Sequence, residues 1–153
     1  MAHSIGVVVV THGQLATELV NAAEMIVGDL SHFSAVSIGW HDDVELARQA
    51  IAEAIARVRG TMGTLILTDM FGGTPANLGV TFLEDGKVEV VTGVNLPMLI
   101  KLAREPESSD LIAVAREMRD HGRSAMWVAS DLLKPEAESP KPQAESPKPE
   151  DAS

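Results

Sequence analysis

Residues 5–13, Ile-Gly-Val-Val-Val-Val-Thr-His-Gly, decide the fold class of this chain. A continuous apolar run rich in β-branched side chains is typical of a strand covered on both faces, as in a parallel sheet between helices. The run ends at a Thr-His-Gly step, and apolar residues at helical spacing follow from Leu15 to Ile26. The sequence therefore predicts a buried first strand that ends at His12 and leads into a helix.

The same alternation continues along the chain. Gly28 is predicted to end the first helix, and Asp42 and Asp43 precede the second, where acidic side chains complement the helix dipole. Thr74 is predicted to cap a third helix with Pro75 at its first position, and Gly122 to end the last one. Strands are predicted over 33–38, 64–68, 87–92 and 124–128, and helices over 44–58, 97–102 and 111–122. This pattern predicts an α/β domain with a mostly parallel sheet.

The composition changes near Leu133, which divides the chain into a predicted domain, 1–133, and a tail, 134–153. The tail holds five of the eight prolines and none of the 12 glycines, and it contains the hexapeptide Ala-Glu-Ser-Pro-Lys-Pro at 137–142 and again at 144–149. Proline removes backbone donors, and Glu, Lys and Ser offer little surface to bury. We expect a disordered, extended tail, either inert or used for docking.

The net charge and the absence of cysteine limit the classes of function that this chain can have. Lys and Arg number 12 against 22 Asp and Glu, a formal net charge of −10, which disfavours binding to a nucleic-acid backbone. The absence of cysteine excludes disulfides, Fe–S clusters and Cys nucleophiles. No apolar run approaches the length of a membrane span, and the first residues lack a signal-peptide pattern, so we expect a cytoplasmic protein.

Unusual polar and glycine residues follow the ends of the predicted strands. His12 ends the first strand, Asp69 and the Gly72-Gly73-Thr74 loop follow the third, and Asn95 follows the fourth. Ligands of open α/β sheets bind at this edge, where helix N-termini present free N–H groups. A carboxylate beside an imidazole fixes its tautomer and leaves the far nitrogen free to act as a nucleophile or a ligand.

Simpler interpretations remain open for each residue. His12 fits a turn, Asp69 fits a turn cap, and Gly-Gly and Thr-Pro both mark loops. His41, beside two aspartates, fits a solvated loop histidine. A metal-dependent hydrolase built on His12, Asp69 and His41 is a further hypothesis, although no helical His-x-x-x-His spacing supports it.

Three motifs together resemble the enzyme IIA component of the mannose family of the bacterial phosphotransferase system (PTS). They are Val9-Val-Thr-His-Gly13, Thr68-Asp-Met-Phe-Gly-Gly-Thr-Pro-Ala-Asn77 and Gly93-Val-Asn-Leu-Pro-Met-Leu99. The resemblance covers about residues 5–128, with the elements in the same order. The tail has no counterpart in it.

The resemblance implies a phosphotransferase component without metal or cofactor. His12 would accept a phosphoryl group from the phosphocarrier protein HPr and pass it to a IIB component for sugar uptake. Asp69 would orient the imidazole, while Gly72, Gly73, Thr74 and Asn95 would surround the phosphoryl oxygens. HPr is expected to dock beside His12, with Met70 and Phe71 as candidate contacts.

The resemblance also implies a three-layer sandwich and a homodimer that exchanges its last strand, residues 124–128, as an antiparallel edge. With only a 20-residue tail after the domain, the IIB partner is expected on a separate chain, and the membrane is reached only through a IIC/IID transporter. The alternative is a regulatory module whose partner reads the phosphorylation state of His12 without sugar transport. The related IIA-like domain that serves dihydroxyacetone kinase ranks below the sugar interpretation.

Overall fold

The computed structural model describes residues 3–134, which form four strands and six helices. In chain order these are β1 (Ile5–His12), α1 (Leu15–Val27), β2 (Phe33–Ile38), α2 (Val44–Val58), β3 (Gly63–Thr68), α3 (Gly73–Val80), β4 (Val88–Thr92), α4 (Leu96–Leu102), α5 (Leu111–Ser124) and α6 (Ala129–Leu132). Residues 135–153, most of the predicted tail, lie outside the described residues. No helix within 3–134 is long and apolar enough to cross a membrane.

The four strands form one parallel sheet in the order β2-β1-β3-β4. The first seven residues of β1 are buried, because β1 is a central strand with helices over both faces. One layer of the core packs α1, α4 and α5 on the sheet, and the other packs α2 and α3 on the opposite face. The predicted three-layer α/β sandwich with a mostly parallel sheet is confirmed.

Several predicted helix ends are confirmed by their backbone contacts. Gly28 follows α1 with a φ of 91°, and its N–H donates to the Glu24 carbonyl. The Asp43 carboxylate accepts from the N–H groups of Glu45 and Leu46, which caps α2. These contacts satisfy backbone groups that a helix end leaves without partners.

The prediction of a strand over 124–128 is wrong for the single chain. Helix α5 continues to Ser124, and a short unstructured segment leads into α6. A strand needs a neighbour to bond with, and none of the described strands pairs with this segment. Whether residues 124–128 pair with β4 of a second copy stays a prediction.

Two predicted helix signals have other roles. Gly122 does not end α5, which continues to Ser124. A Cβ at this position would come within 2.8 Å of Met98 Sδ, so the glycine allows α4 and α5 to pack closely. Thr74 does not cap α3, which begins one residue earlier at Gly73 with Gly72 as its N-cap. Gly72 and Gly73 have positive φ angles of 86° and 82°, which glycine adopts readily, and the N-cap position is at Gly72 and not at Thr74.

Candidate functional site

The predicted pair of His12 and Asp69 forms at the carboxyl edge of the sheet. Strands β1 and β3 are neighbours in parallel register, which brings their ends together. Asp69 Oδ2 lies 2.7 Å from His12 Nδ1 and accepts from the His12 backbone N–H at 3.0 Å. The carboxylate is 13% exposed and the imidazole 51%, so the ring faces outward from a partly buried support.

This contact determines which nitrogen of His12 is reactive. An ionised carboxylate only accepts hydrogen bonds, so in the neutral imidazole Nδ1 carries the proton and Nε2 keeps a free lone pair. Burial raises the pKa of Asp69, but the hydrogen bonds from the His12 backbone and ring, together with the charge of that ring, bring it below its ordinary value. Asp69 Oδ1 also accepts from the Met70 N–H at 3.0 Å, which fixes the carboxylate from the other side.

Gly73 lies directly against the free edge of the imidazole. A Cβ at this position would be 3.1 Å from His12 Cε1 and 3.2 Å from Nε2, and the φ of Gly73 is +82°. Only glycine meets both conditions without strain. Gly72, with a φ of +86°, has open space where its Cβ would be.

The first turn of α3 follows these glycines. The first N–H groups of a helix have no partner within it, and together with the helix dipole they favour an anion. Gly73 and Thr74 contribute N–H groups here, Pro75 has none, and the Thr74 side chain is exposed. The site therefore combines a nucleophilic nitrogen with donors suited to a tetrahedral oxyanion.

Asn95 is placed close by, but its side chain has structural partners. Its Oδ1 accepts from the Met98 N–H at 3.2 Å, which caps α4, and its Nδ2 donates to the Gly122 carbonyl at 2.9 Å. The N–H groups of Gly93 and Val94 both donate to the Thr68 carbonyl at 2.9 Å. This loop is thus fastened both to the end of β3 and to α5.

The third residue of the metal hypothesis, His41, lies on the loop after β2. Its neighbours already have backbone partners, since the Asp42 carboxylate accepts from the Gly39 N–H and Asp43 caps α2. Within residues 3–134, no group of three or more His, Cys, Asp or Glu side chains is arranged to hold a metal ion.

Thr11 is a supporting residue that the sequence reasoning missed. It is fully buried, and its Oγ1 accepts from the Ala16 N–H at 2.6 Å. This bond fixes the start of α1 behind the imidazole. A threonine within a continuous apolar strand, four or five residues before a helix, is the signal that would have identified it.

Comparison with known proteins identifies the family to which a chain with this site belongs. Residues 6–118 match the EIIA-man family model, described as "PTS system fructose IIA component". The chain is 32% identical over 128 residues to the PTS system mannose-specific EIIAB component of Escherichia coli, covering 80% of this chain but 40% of that protein. It is 26% identical over 131 residues to the PTS system fructose-specific EIIA component of Bacillus subtilis, covering 85% and 90%.

Solved structures show the same architecture. The mannose/sorbose-specific IIA subunit of the phosphotransferase system from Enterococcus faecalis has a TM-score of 0.70 and 29% identity, covering 84% of this chain and 95% of that one. The PTS IIA protein associated with the fucose utilisation operon of Streptococcus pneumoniae shares the fold, with a TM-score of 0.75 and 21% identity over 87% and 98%. The family match spans most of the described domain and includes His12, Asp69 and Gly73. The chain therefore belongs to the EIIA-man family of IIA components of the sugar phosphotransferase system.

Proposed function

We propose that the chain is a phosphoryl carrier. His12 accepts a phosphoryl group from the phosphohistidine of HPr and passes it to a IIB component for sugar uptake. The observation that carries this proposal is the 2.7 Å contact between Asp69 Oδ2 and His12 Nδ1, because in the neutral ring it leaves the lone pair on Nε2 of a half-exposed side chain. Membership in a family of IIA components supports the same direction.

The proposed transfer moves one group between two histidines. The lone pair of His12 Nε2 forms a bond to phosphorus while the P–N bond of the donor breaks, and its electron pair returns to the donor imidazole. Nδ1 keeps its proton throughout, and the Asp69 carboxylate stabilises the positive charge that develops on the ring. Such a loose, in-line transfer depends on positioning and electrostatic support more than on covalent groups.

The phosphoryl oxygens are proposed to accept hydrogen bonds from the loop at the start of α3. Gly72, Gly73 and Thr74 supply N–H groups, and Thr74 adds a hydroxyl. The close approach of Gly73 to Nε2 supports this arrangement, because its backbone stands beside the position of the incoming phosphorus. Asn95 enters the proposal as the residue that holds the neighbouring loop, since both ends of its side chain have partners.

The proposed assembly is a homodimer in which residues 124–128 of one copy pair antiparallel with β4 of the other. Strand β4 is an edge strand, and a cavity of about 600 Å³ lies between it and α5, lined in part by Val90, Met98 and Met126. Met126, Trp127 and Val128 are each at least 65% exposed in the single chain. An open edge beside an exposed apolar segment supports exchange, since each would cover the other.

The test is the intact mass of the protein after incubation with phosphoenolpyruvate, enzyme I and HPr, beside a His12→Ala control. The expected result is one acid-labile phosphoryl group on the wild type and none on the variant. Adding a IIB component should then remove the group. No gain of mass on a folded wild type would refute the proposal, and a group that IIB does not remove would favour the regulatory alternative.

A further inference from the structure

An exposed tryptophan lies on the loop that follows the strand beside His12. Strand β2 pairs with β1 so that Ile38 is the Cα partner of His12, and the Gly13 N–H donates to the Ile38 carbonyl at 2.8 Å. Trp40 comes two residues later and is 93% exposed. An indole so open to water is unusual on a free surface and is typical of a protein interface.

The loop that carries Trp40 is fixed at its base. The Asp42 carboxylate accepts from the Gly39 N–H, and the Asp42 N–H donates to the Gly39 carbonyl at 3.2 Å, so residues 39–42 form a closed turn. Asp43 then caps α2 through its contacts with Glu45 and Leu46. A rigid turn presents the indole in a limited set of positions, which lowers the entropy lost when a partner covers it.

If the proposed function holds, the donor protein must cover the carboxyl edge of the sheet around His12 during phosphoryl transfer. The donor must bring its phosphorus to within about 3–3.5 Å of Nε2. A specific interface of ordinary size buries about 800 Å² on each partner, a disc of radius about 16 Å. Trp40 lies inside a disc of this radius centred on His12. Its Cα is at most about 12 Å from that of His12, because adjacent strands are about 4.8 Å apart and the two residues after Ile38 add at most about 7 Å.

We propose that Trp40 is an anchor of the surface that binds the phosphohistidine-bearing donor. Two further exposed apolar side chains flank the site at the same edge, Leu46 at 66% exposure on the first turn of α2 and Phe71 at 87% on the loop after β3. All three residues follow the carboxyl ends of β2 and β3, the strands on either side of β1. Large aromatic side chains at the centre of an interface contribute most of its binding energy.

The charge of the residues beside Trp40 indicates which kind of donor surface would be complementary to it. Asp42, Asp43 and Glu45 lie within five residues after Trp40, and Arg48 contacts Glu45 at 3.7 Å. The rim on this side is therefore acidic. A complementary donor has an apolar area around its histidine and Lys or Arg residues at the rim, and such charges speed association at low salt.

The test compares Trp40→Ala with Met25→Ala. Met25 is similarly exposed, at 88%, but lies in the last turn of α1, about 15 Å along the helix axis from its start beside His12. We expect Trp40→Ala to raise the KM for phosphorylated HPr about tenfold or more, and Met25→Ala to leave it unchanged. At saturating HPr both variants should still gain one phosphoryl group, and Trp40→Phe should recover most of the loss.

A second measurement reports binding directly. The chain has two tryptophans, so Trp127→Phe makes Trp40 the single indole. Adding unphosphorylated HPr should shift its emission to shorter wavelength as the ring leaves water, less so at high salt. If the wild type is phosphorylated normally but Trp40→Ala keeps the wild-type KM, or the emission does not move, this inference alone is wrong. If the wild type gains no phosphoryl group, the proposed function fails with it.

Discussion

Replacing Gly73 by alanine should block the reactive nitrogen while leaving the fold in place. The new Cβ would lie 3.2 Å from His12 Nε2 and 3.1 Å from Cε1, closer than a comfortable contact. The ring must tilt away by a few tenths of an ångström, which strains its 2.7 Å bond to Asp69, and the methyl group occupies space that the phosphorus needs. A misplacement of about 1 Å at a reacting centre costs about 10²-fold in rate, and here the methyl group adds a blocked approach to the smaller tilt of the ring.

Gly72→Ala is the matched control for this prediction. Both glycines have nearly the same positive φ, +82° for Gly73 and +86° for Gly72, a region in which an alanine carries a backbone strain of about 1–3 kcal/mol. At Gly72, however, the added Cβ meets nothing within 4 Å. The two variants should therefore lose similar free energies of unfolding, whereas only Gly73→Ala should lose phosphoryl acceptance.

The assay is the rate at which intact protein gains one phosphoryl mass from a fixed concentration of phosphorylated HPr, with urea unfolding of each variant measured in parallel. We expect Gly72→Ala within about tenfold of the wild type, since it keeps its N–H, and Gly73→Ala about 10²-fold below it. Equal rates for the two variants would refute the argument, because only the methyl group at Gly73 contacts the imidazole.

Two other perturbations have defined outcomes. Asp69→Asn should slow phosphoryl acceptance by about 10²–10⁴-fold without unfolding the protein, because an amide that donates to Nδ1 moves the ring proton to Nε2; a near-normal rate would contradict the orienting role. The second perturbation concerns the buried His32. Its Nε2 donates to the Leu102 carbonyl at 3.0 Å, its Nδ1 has no partner within residues 3–134, and burial lowers its pKa from the ordinary 6.5. Because the unfolded chain binds a proton on His32 more readily, the free energy of unfolding should be highest above about pH 6.5 and fall as the pH decreases below it; urea unfolding of His32→Gln across this pH range should show a smaller fall.

Local patterns in the sequence predicted the contact between His12 and Asp69, because its geometry follows from the sheet. Once residues 5–10 and 64–68 are assigned to neighbouring parallel strands, His12 and Asp69 must lie at the same edge. The role of Asn95 did not follow in this way. Its partners, Met98 and the Gly122 carbonyl, depend on how α4 and α5 pack, which no spacing along the chain encodes.

The same limit applies elsewhere. His32 lies in the turn between α1 and β2, yet it is 7% exposed because the end of α4 and the ring of His3, at 3.9 Å, cover it. Residues 124–128 have a strand-like sequence, but a strand forms only when it pairs with the edge of a sheet. Within one copy this segment does not lie against such an edge. Both outcomes are decided by tertiary contacts that lie far away in sequence.

The contacts of His12 and Asp69 bear on how firmly a phosphoryl group on Nε2 would be held. None of the contacts described for His12 and Asp69 involves a Lys or Arg, and the nearest fixed charge is the Asp69 carboxylate. A phosphoryl group on Nε2 would therefore depend on backbone N–H groups and on the imidazolium beneath it. An arginine clamp would stabilise the phosphohistidine strongly and slow its onward transfer, because a group bound more tightly in the intermediate than in the transition state leaves more slowly. If the proposed function holds, the positive charge that assists transfer would come from the donor when it binds the acidic rim beside Trp40, and the chain alone would hold the phosphoryl group only loosely.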